Sequence, residues 1–125
     1  MFEHIWTDKK RNTEIKKEKK RLDQIFKDLD EDKRNTVSGL IQSAAFQAVM
    51  LTELSMIIKR DGYVEEYQNG ANQKGYKKSA AVESYDKSLN TYSKIIKQLT
   101  DLLPENHDAN VPGAAIMNFV NKGKT

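Results

Sequence analysis

Hydrophobic residues recur at helical spacing in three long stretches of the chain. The stretches run from about Asp8 to Asp30, from about Thr36 to Arg60 and from about Ser79 to Leu103. Apolar residues three or four positions apart fall on one face of an α-helix, because the helix turns once every 3.6 residues. The pattern predicts an all-α fold in which a polar loop of 18 residues, rich in Asn and Gly, joins the second and third helices.

The first predicted helix has an apolar stripe on one face and positive charge on the other. The stripe consists of Ile15, Leu22, Ile25, Phe26 and Leu29. Residues 1–21 hold eight Lys or Arg and four Asp or Glu, whereas the rest of the chain holds 13 basic and 14 acidic residues. The candidate phosphate-binding residues are Lys9, Lys10, Arg11, Lys16, Lys17, Lys19, Lys20 and Arg21. Clustered basic residues are typical of nucleic-acid binding, but many such faces only keep a helix soluble, and both interpretations stay open.

The second predicted helix is apolar on more than one side. Between Val37 and Ile58, 14 of the 22 residues are apolar, whereas packing against one partner needs only three or four per two turns. A helical hairpin with one thin additional helix cannot enclose such a surface, so we expect copies of the chain to associate. The candidate interface residues are Leu40, Ala44, Leu51, Leu54 and Ile58. The alternative is a closed monomeric bundle in which the first helix and the C-terminal tail cover the second helix.

The third predicted helix carries the seam of a coiled-coil-like packing, with steps that alternate between four and three residues. The seam residues are Tyr85, Leu89, Tyr92, Ile96, Leu99 and Leu103. Because the second and third helices have similar lengths, we expect them to form an antiparallel hairpin. Asn69-Gly70 indicates a turn in the loop, and a small β-hairpin around this turn is the alternative to an irregular loop.

The domain prediction is a helical DNA-binding and oligomerisation domain over residues 1–103, followed by a tail over residues 104–125. Within the tail, Pro112 is well placed to begin a short C-terminal helix.

Motifs for catalysis or metal binding are incomplete in this sequence. There is no cysteine, and the two histidines, His4 and His107, stand alone near opposite ends. The final Gly-Lys-Thr resembles the end of a phosphate-binding loop. That motif also requires a Gly five residues before its last Gly, but this position holds Asn118. We therefore predict no catalytic residue, no metal ion, no cofactor and no enzymatic activity. The N-terminus does not resemble a secretory signal, and the polar residues within the uncharged segment 35–52 argue against a membrane span.

Five short motifs follow one another between residues 37 and 106. They are Leu51-Thr52-Glu53-Leu54, Asp61-Gly62, Glu66-Tyr67-Gln68-Asn69-Gly70, Lys77-Lys78-Ser79 and Leu102-Leu103-Pro104. In their order and spacing they resemble the small subunit of tailed-phage terminases, the DNA-packaging initiation protein. The resemblance covers a little over half of the chain.

The resemblance implies a homo-oligomeric ring that binds double-stranded viral DNA in the cytoplasm of a bacterial host. Such a ring would deliver the DNA to the terminase large subunit, which carries the ATPase and nuclease. The resemblance also favours DNA binding by the first helix over a merely solubilising role. The chain departs from the N-terminal helix-turn-helix of many small terminases, so we expect electrostatic or shape-based DNA binding. The alternative function is a helical oligomeric adaptor that binds only protein partners.

Overall fold

The computed structural model describes residues 3–68, 70 and 73–103 of the 125-residue chain. Its elements, in chain order, are α1 (Asp8–Ile25), α2 (Glu31–Asp61), β1 (Val64–Gln68), β2 (Lys74–Lys78) and α3 (Ala80–Asp101). The prediction of a mainly helical fold is confirmed. Between α2 and α3 the structure has the small β-hairpin that the sequence offered as the alternative to an irregular loop. The tail over 104–125, with its predicted short helix, lies outside the described residues.

The break between the first two helices lies earlier than the sequence pattern predicted. α1 ends at Ile25 and α2 begins at Glu31, which extends α2 to 31 residues. Glu31 and Asp32 occupy the first turn of α2, where negative charge is favoured by the positive end of the helix dipole. Leu29, in the turn between the helices, is nonetheless buried, so the predicted apolar stripe continues across the break.

The core lies along α2, which packs against α1 on one side and α3 on the other. From α1 and the following turn, the buried core side chains are Leu22, Phe26 and Leu29; from α2, Val37, Ile41, Ala44, Ala45, Ala48 and Leu51; from α3, Tyr92, Ile95, Ile96 and Leu99. A second cluster joins Leu54 and Ile57, near the end of α2, to Ala81 at the start of α3. These contacts run in opposite chain directions, so α2 and α3 form the predicted antiparallel hairpin.

The proposed oligomer interface on α2 requires a correction. Ala44, Leu51 and Leu54 are 0%, 5% and 4% exposed within a single copy, because α1 and α3 cover them. They are core residues and are not available to a second copy. Leu40 and Ile58 are half-buried against the same clusters. The bundle therefore closes more completely than the apolar content of α2 suggested, and the ring stays a prediction.

The seam of α3 agrees with the prediction except at one position. Tyr92, Ile96 and Leu99 are buried, whereas Leu89 is 42% exposed. The adjacent Ser88 is buried instead, and its hydroxyl donates a hydrogen bond to the side-chain oxygen of Gln47 on α2. The Ser88–Gln47 pair thus lies in the interface between α2 and α3 at the level where the heptad pattern predicted Leu89.

Candidate nucleic-acid interface

The outer face of α1 carries a row of lysines. Lys9, Lys16 and Lys20 are exposed, and their spacing of seven and four residues places them on one side of the helix. At 1.5 Å per residue the row extends over about 16 Å. Within the described part of the chain these three lysines form no salt bridge, so their charges remain available to an anionic partner.

Lys10 and Lys17 lie to one side of this row and share a carboxylate. Lys10 Nζ lies 2.9 Å from Glu14 Oε1, and Lys17 Nζ lies 3.7 Å from the same oxygen. The hydrogen bond from Lys10 lowers the pKa of Glu14 and outweighs the opposing effect of burial. Glu14 therefore compensates part of the charge of these two lysines. Lys19 is half-buried on the other side of the row.

Arg11 contacts α2 and does not face solvent. Its Nε donates to Glu53 Oε1 at 2.8 Å, and its Nη2 donates to Glu53 Oε2 at 3.0 Å and to the Trp6 carbonyl at 2.9 Å. The side chain is only 18% exposed. The prediction that Arg11 binds DNA needs correction, because its guanidinium serves as a bridge between α1 and α2.

Glu53 also holds the segment that precedes α1. Its Oε2 accepts hydrogen bonds from the backbone N–H groups of Ile5 at 3.1 Å and Trp6 at 2.9 Å. Burial alone would raise the pKa of Glu53, but the hydrogen bonds from Arg11, Trp6 and Ile5 prevail and lower its pKa to about 2. The carboxylate is thus charged and fully used within the fold, where it fixes the beginning of α1 against α2.

Arg21 is also largely buried, and it pairs with Glu18 of the same helix. Its Nε donates to Glu18 Oε1 at 2.9 Å, and its Nη2 lies 2.6 Å from the same oxygen. Glu18 is 9% exposed, and the Arg21 side chain is 18% exposed. Burial raises the pKa of the nearby Tyr92 phenol, and the negative charge of Glu18 raises this pKa further. Arg21 is therefore held by an ion pair within α1 on the partly buried side of that helix, and its assignment to the DNA surface is also corrected.

The structure thus divides the eight predicted residues into two groups. The lysines lie on or beside the outer face of α1, while the two arginines lie on its inner side. Helical spacing places Arg21 about 140° from Lys16 and about 100° from Lys20 around the helix, so it already separates Arg21 from the row. The buried acceptor of Arg11, in contrast, is 42 residues away in the chain. The one sequence signal for that acceptor is Glu53 itself, a carboxylate that follows the uncharged segment 35–52.

A groove of about 360 Å³ runs along α2, and its exposed surface is mostly apolar. Its accessible apolar residues are Phe46 and Met50, whereas Leu54 and Ile57, which also line it, are buried. The rest of its lining is polar or charged and consists of His4, Arg11, Glu53 and Ser84. Phe46 is 46% exposed there. This groove is the apolar surface of α2 that α1 and α3 leave open.

Other kinds of site find little support among the described residues. In that part of the chain no group of three or more His, Cys, Asp or Glu side chains is arranged to hold a metal ion. By length and composition α2 could also cross a membrane, yet half of its apolar window is buried inside the structure, as in core helices of other proteins.

Comparisons with protein-family models, with curated proteins and with solved structures found no match to this chain.

Proposed function

We propose that this protein is a non-enzymatic, oligomeric DNA-binding component of a viral packaging machine, the small subunit of a phage terminase. The observation that carries the proposal is the row of Lys9, Lys16 and Lys20 on the outer face of α1, whose charges no carboxylate of the described chain neutralises. Lysine ammonium groups bind phosphates mainly through charge, so this row suits a DNA backbone and does not require base contacts.

The segment that carries the family resemblance supports this identity in a second way. The described residues between 37 and 103 contain most of α2, the β-hairpin and α3, so the described parts of the matching motifs lie in consecutive elements of the fold. The Asp61-Gly62 motif coincides with the end of α2, where Gly62 has a φ of 91°. The Lys77-Lys78-Ser79 motif coincides with the end of β2 and the cap of α3, where the Ser79 hydroxyl accepts a hydrogen bond from Val82 N at 3.2 Å.

Electrostatic binding of this kind is weak for one copy and strong for several. Each phosphate contact releases condensed counterions, so affinity falls steeply as salt rises, and contacts from several copies add together. An oligomer with one lysine row per copy would hold DNA without reading its sequence closely. We propose that the bound DNA is then passed to the terminase large subunit, which would supply ATP hydrolysis and cleavage.

Replacing Lys9, Lys16 and Lys20 with Gln tests the proposal. We expect the triple variant to keep the helix content and native mass of the wild type, because none of the three side chains makes a salt bridge among the described residues. Binding to duplex DNA should weaken, and the slope of log affinity against log salt should decrease by about 3 for each copy in contact, since each lost phosphate contact removes about 0.9. Fluorescence anisotropy over a salt series measures both quantities.

The matched control replaces Lys59 of α2 and Lys87 and Lys94 of α3 with Gln. It also removes three positive charges from exposed positions that make no salt bridge among the described residues, but on other helices. We expect a smaller effect from the control than from the α1 variant. If both variants bind DNA with the wild-type salt slope, α1 is not the DNA surface.

A second candidate function is a helical adaptor that binds only proteins. The groove that exposes Phe46 and part of Met50 favours it, since an apolar groove between helices suits an amphipathic partner helix. The same salt series separates the two functions. An adaptor would not retain duplex DNA even at low salt, whereas a terminase small subunit would.

A further inference from the structure

The β-hairpin projects apolar side chains that nothing in the described chain covers. Seven large apolar residues are exposed in the described structure, and four of them lie on the hairpin or directly before it. They are Tyr63 at 73%, Val64 at 60%, Tyr67 at 42% and Tyr76 at 76% exposed. A two-stranded hairpin is marginally stable by itself in water, so a surface of this kind is expected to gain a partner.

Both strands also have a free edge. The sheet contains only β1 and β2, paired from Val64 opposite Lys78 to Gln68 opposite Lys74. All residues of the two strands are exposed except Glu65 and Gly75, which are half-buried. Unpaired backbone N–H and C=O groups along such edges are a template for a further strand.

The two edges carry opposite charge. β1 contains Glu65 and Glu66 and no basic residue, whereas β2 contains Lys74, Lys77 and Lys78 and no acidic residue. Within one copy Lys77 Nζ lies 3.5 Å from Glu65 Oε1 and Lys78 Nζ lies 3.3 Å from Asp86 Oδ2. Glu66 and Lys74 are therefore the strand charges that no salt bridge of the described residues engages. If two β1 strands met, carboxylates would face carboxylates, and if two β2 strands met, lysines would face lysines. Contact between β1 of one copy and β2 of another instead brings unlike charges together, which is favourable for cross-strand neighbours.

We propose that the hairpin is the surface by which copies of this chain assemble, with the acidic β1 edge of one copy pairing with the basic β2 edge of the next. Within one copy β1 and β2 are antiparallel. If neighbouring copies have the same orientation, the strands of the joined sheet follow the order β1, β2, β1, β2. The pair formed between two copies is then antiparallel as well. Because the two edges differ, the contact is heterologous, and a ring forms when the rotation between neighbouring copies closes after a whole number of copies. The inference deepens the proposed function, since it names the surface behind the expected oligomer.

Two charge-altered variants of the full chain test this pairing. In the first variant, Glu65→Gln with Glu66→Lys makes β1 basic. Gln is chosen at position 65 because its side-chain oxygen can still accept the hydrogen bond from Ala80 N that the Glu65 carboxylate accepts. In the second, Lys74→Glu with Lys78→Glu gives β2 a net negative charge. Each variant alone then has like charges on its two edges, so we expect both to be monomers at concentrations where the wild type is assembled. Mixed in equal amounts, they should assemble again, because each edge finds an opposite edge on the other variant.

Native mass measured by sedimentation velocity, without DNA, is the readout. Recovery on mixing shows that both altered hairpins are folded, so loss of assembly cannot be attributed to misfolding. A matched control, Glu83→Lys with Lys94→Glu on exposed positions of α3, should assemble like the wild type. A monomeric wild type, assembly by either variant alone, or failure of the mixture to assemble would each overturn the proposal. Since no DNA is present, none of these results depends on the lysines of α1.

Discussion

At the scale of single residues, Glu53 shows how the fold uses charge. Its carboxylate is 4% exposed and receives hydrogen bonds from Ile5, Trp6 and Arg11. A buried carboxylate is costly unless its hydrogen-bonding capacity is satisfied, and here backbone and guanidinium donors satisfy it together. The position of α1 on α2 therefore depends on an ionised Glu53.

Acid should weaken the structure through this residue. The pKa of Glu53 is about 2 in the folded chain against an ordinary value of 4.5, so the folded state binds fewer protons than the unfolded state. The resulting stabilisation is fully present above pH 4.5 and is lost as the pH falls toward 2, and it amounts to about 3 kcal/mol. Urea unfolding at several pH values between 2 and 6, followed by circular dichroism, measures the free energy of unfolding.

The Glu53→Gln variant is the control for this acid effect. It retains a side-chain oxygen as acceptor but has no carboxylate to protonate, so its free energy of unfolding should depend less on pH across the same range. Equal pH dependence in wild type and variant would show that other carboxylates dominate acid unfolding.

At the scale of secondary-structure elements, α3 shows which helical positions carry the packing. Leu99 is 0% exposed and Leu89 is 42% exposed, although both belong to the same heptad series in the sequence. The series does not distinguish them, because the antiparallel partner presents Gln47 opposite this part of α3, and Ser88 forms the hydrogen bond there.

The two leucines therefore form a matched pair of mutations. Leu99→Ala should lower the free energy of unfolding by about 3 kcal/mol, because it leaves a cavity in the core. Leu89→Ala should change it by less than about 1 kcal/mol, because the side chain is largely in water. Urea unfolding of both variants measures the difference, and similar losses would mean that Leu89 is covered in solution, as it would be at an interface between copies.

Sequence periodicity predicted the three helices because their apolar stripes are long and regular. It predicted that the first helix ends near Asp30, whereas α1 ends at Ile25. The reason is that the buried Leu29 continues the apolar stripe although it lies in the turn after the helix. It did not favour the β-hairpin, because strands of five residues each without a buried face show no clear alternation. The row of lysines followed from local spacing, and the same spacing places Arg11 on the apolar stripe, four residues before Ile15 and eleven before Leu22. What local patterns do not contain is its partner, because Glu53 is distant in the chain.

At the scale of the whole molecule, the described chain has a closed core and two separate outward features. The lysine row lies on α1, while the exposed tyrosines and charged edges lie on the hairpin between α2 and α3. In the function proposed above, α1 binds DNA and the hairpin joins the copies. Because the features belong to different elements, substitutions in the lysine row should leave assembly unchanged, and substitutions in the hairpin leave the lysine row itself unchanged.

This separation predicts a link between assembly and the salt dependence of DNA binding. The hairpin variants retain every lysine of α1, yet as monomers they should show a shallower slope of log affinity against log salt than the assembled wild type, because fewer phosphates are contacted at once. Mixing the two variants should restore the wild-type slope. The α1 lysine variant should instead remain assembled with a reduced slope, and a hairpin variant that is monomeric but has the full slope would contradict the link.

The contact between Arg60 and the start of the described chain has a practical consequence for labelling. Arg60 Nη2 donates to the Glu3 carbonyl at 2.8 Å, which places this end of the chain beside the last turn of α2, close to where the hairpin begins. A fluorophore attached at position 3 would therefore lie near the beginning of the hairpin and would respond to, or obstruct, the joining of copies.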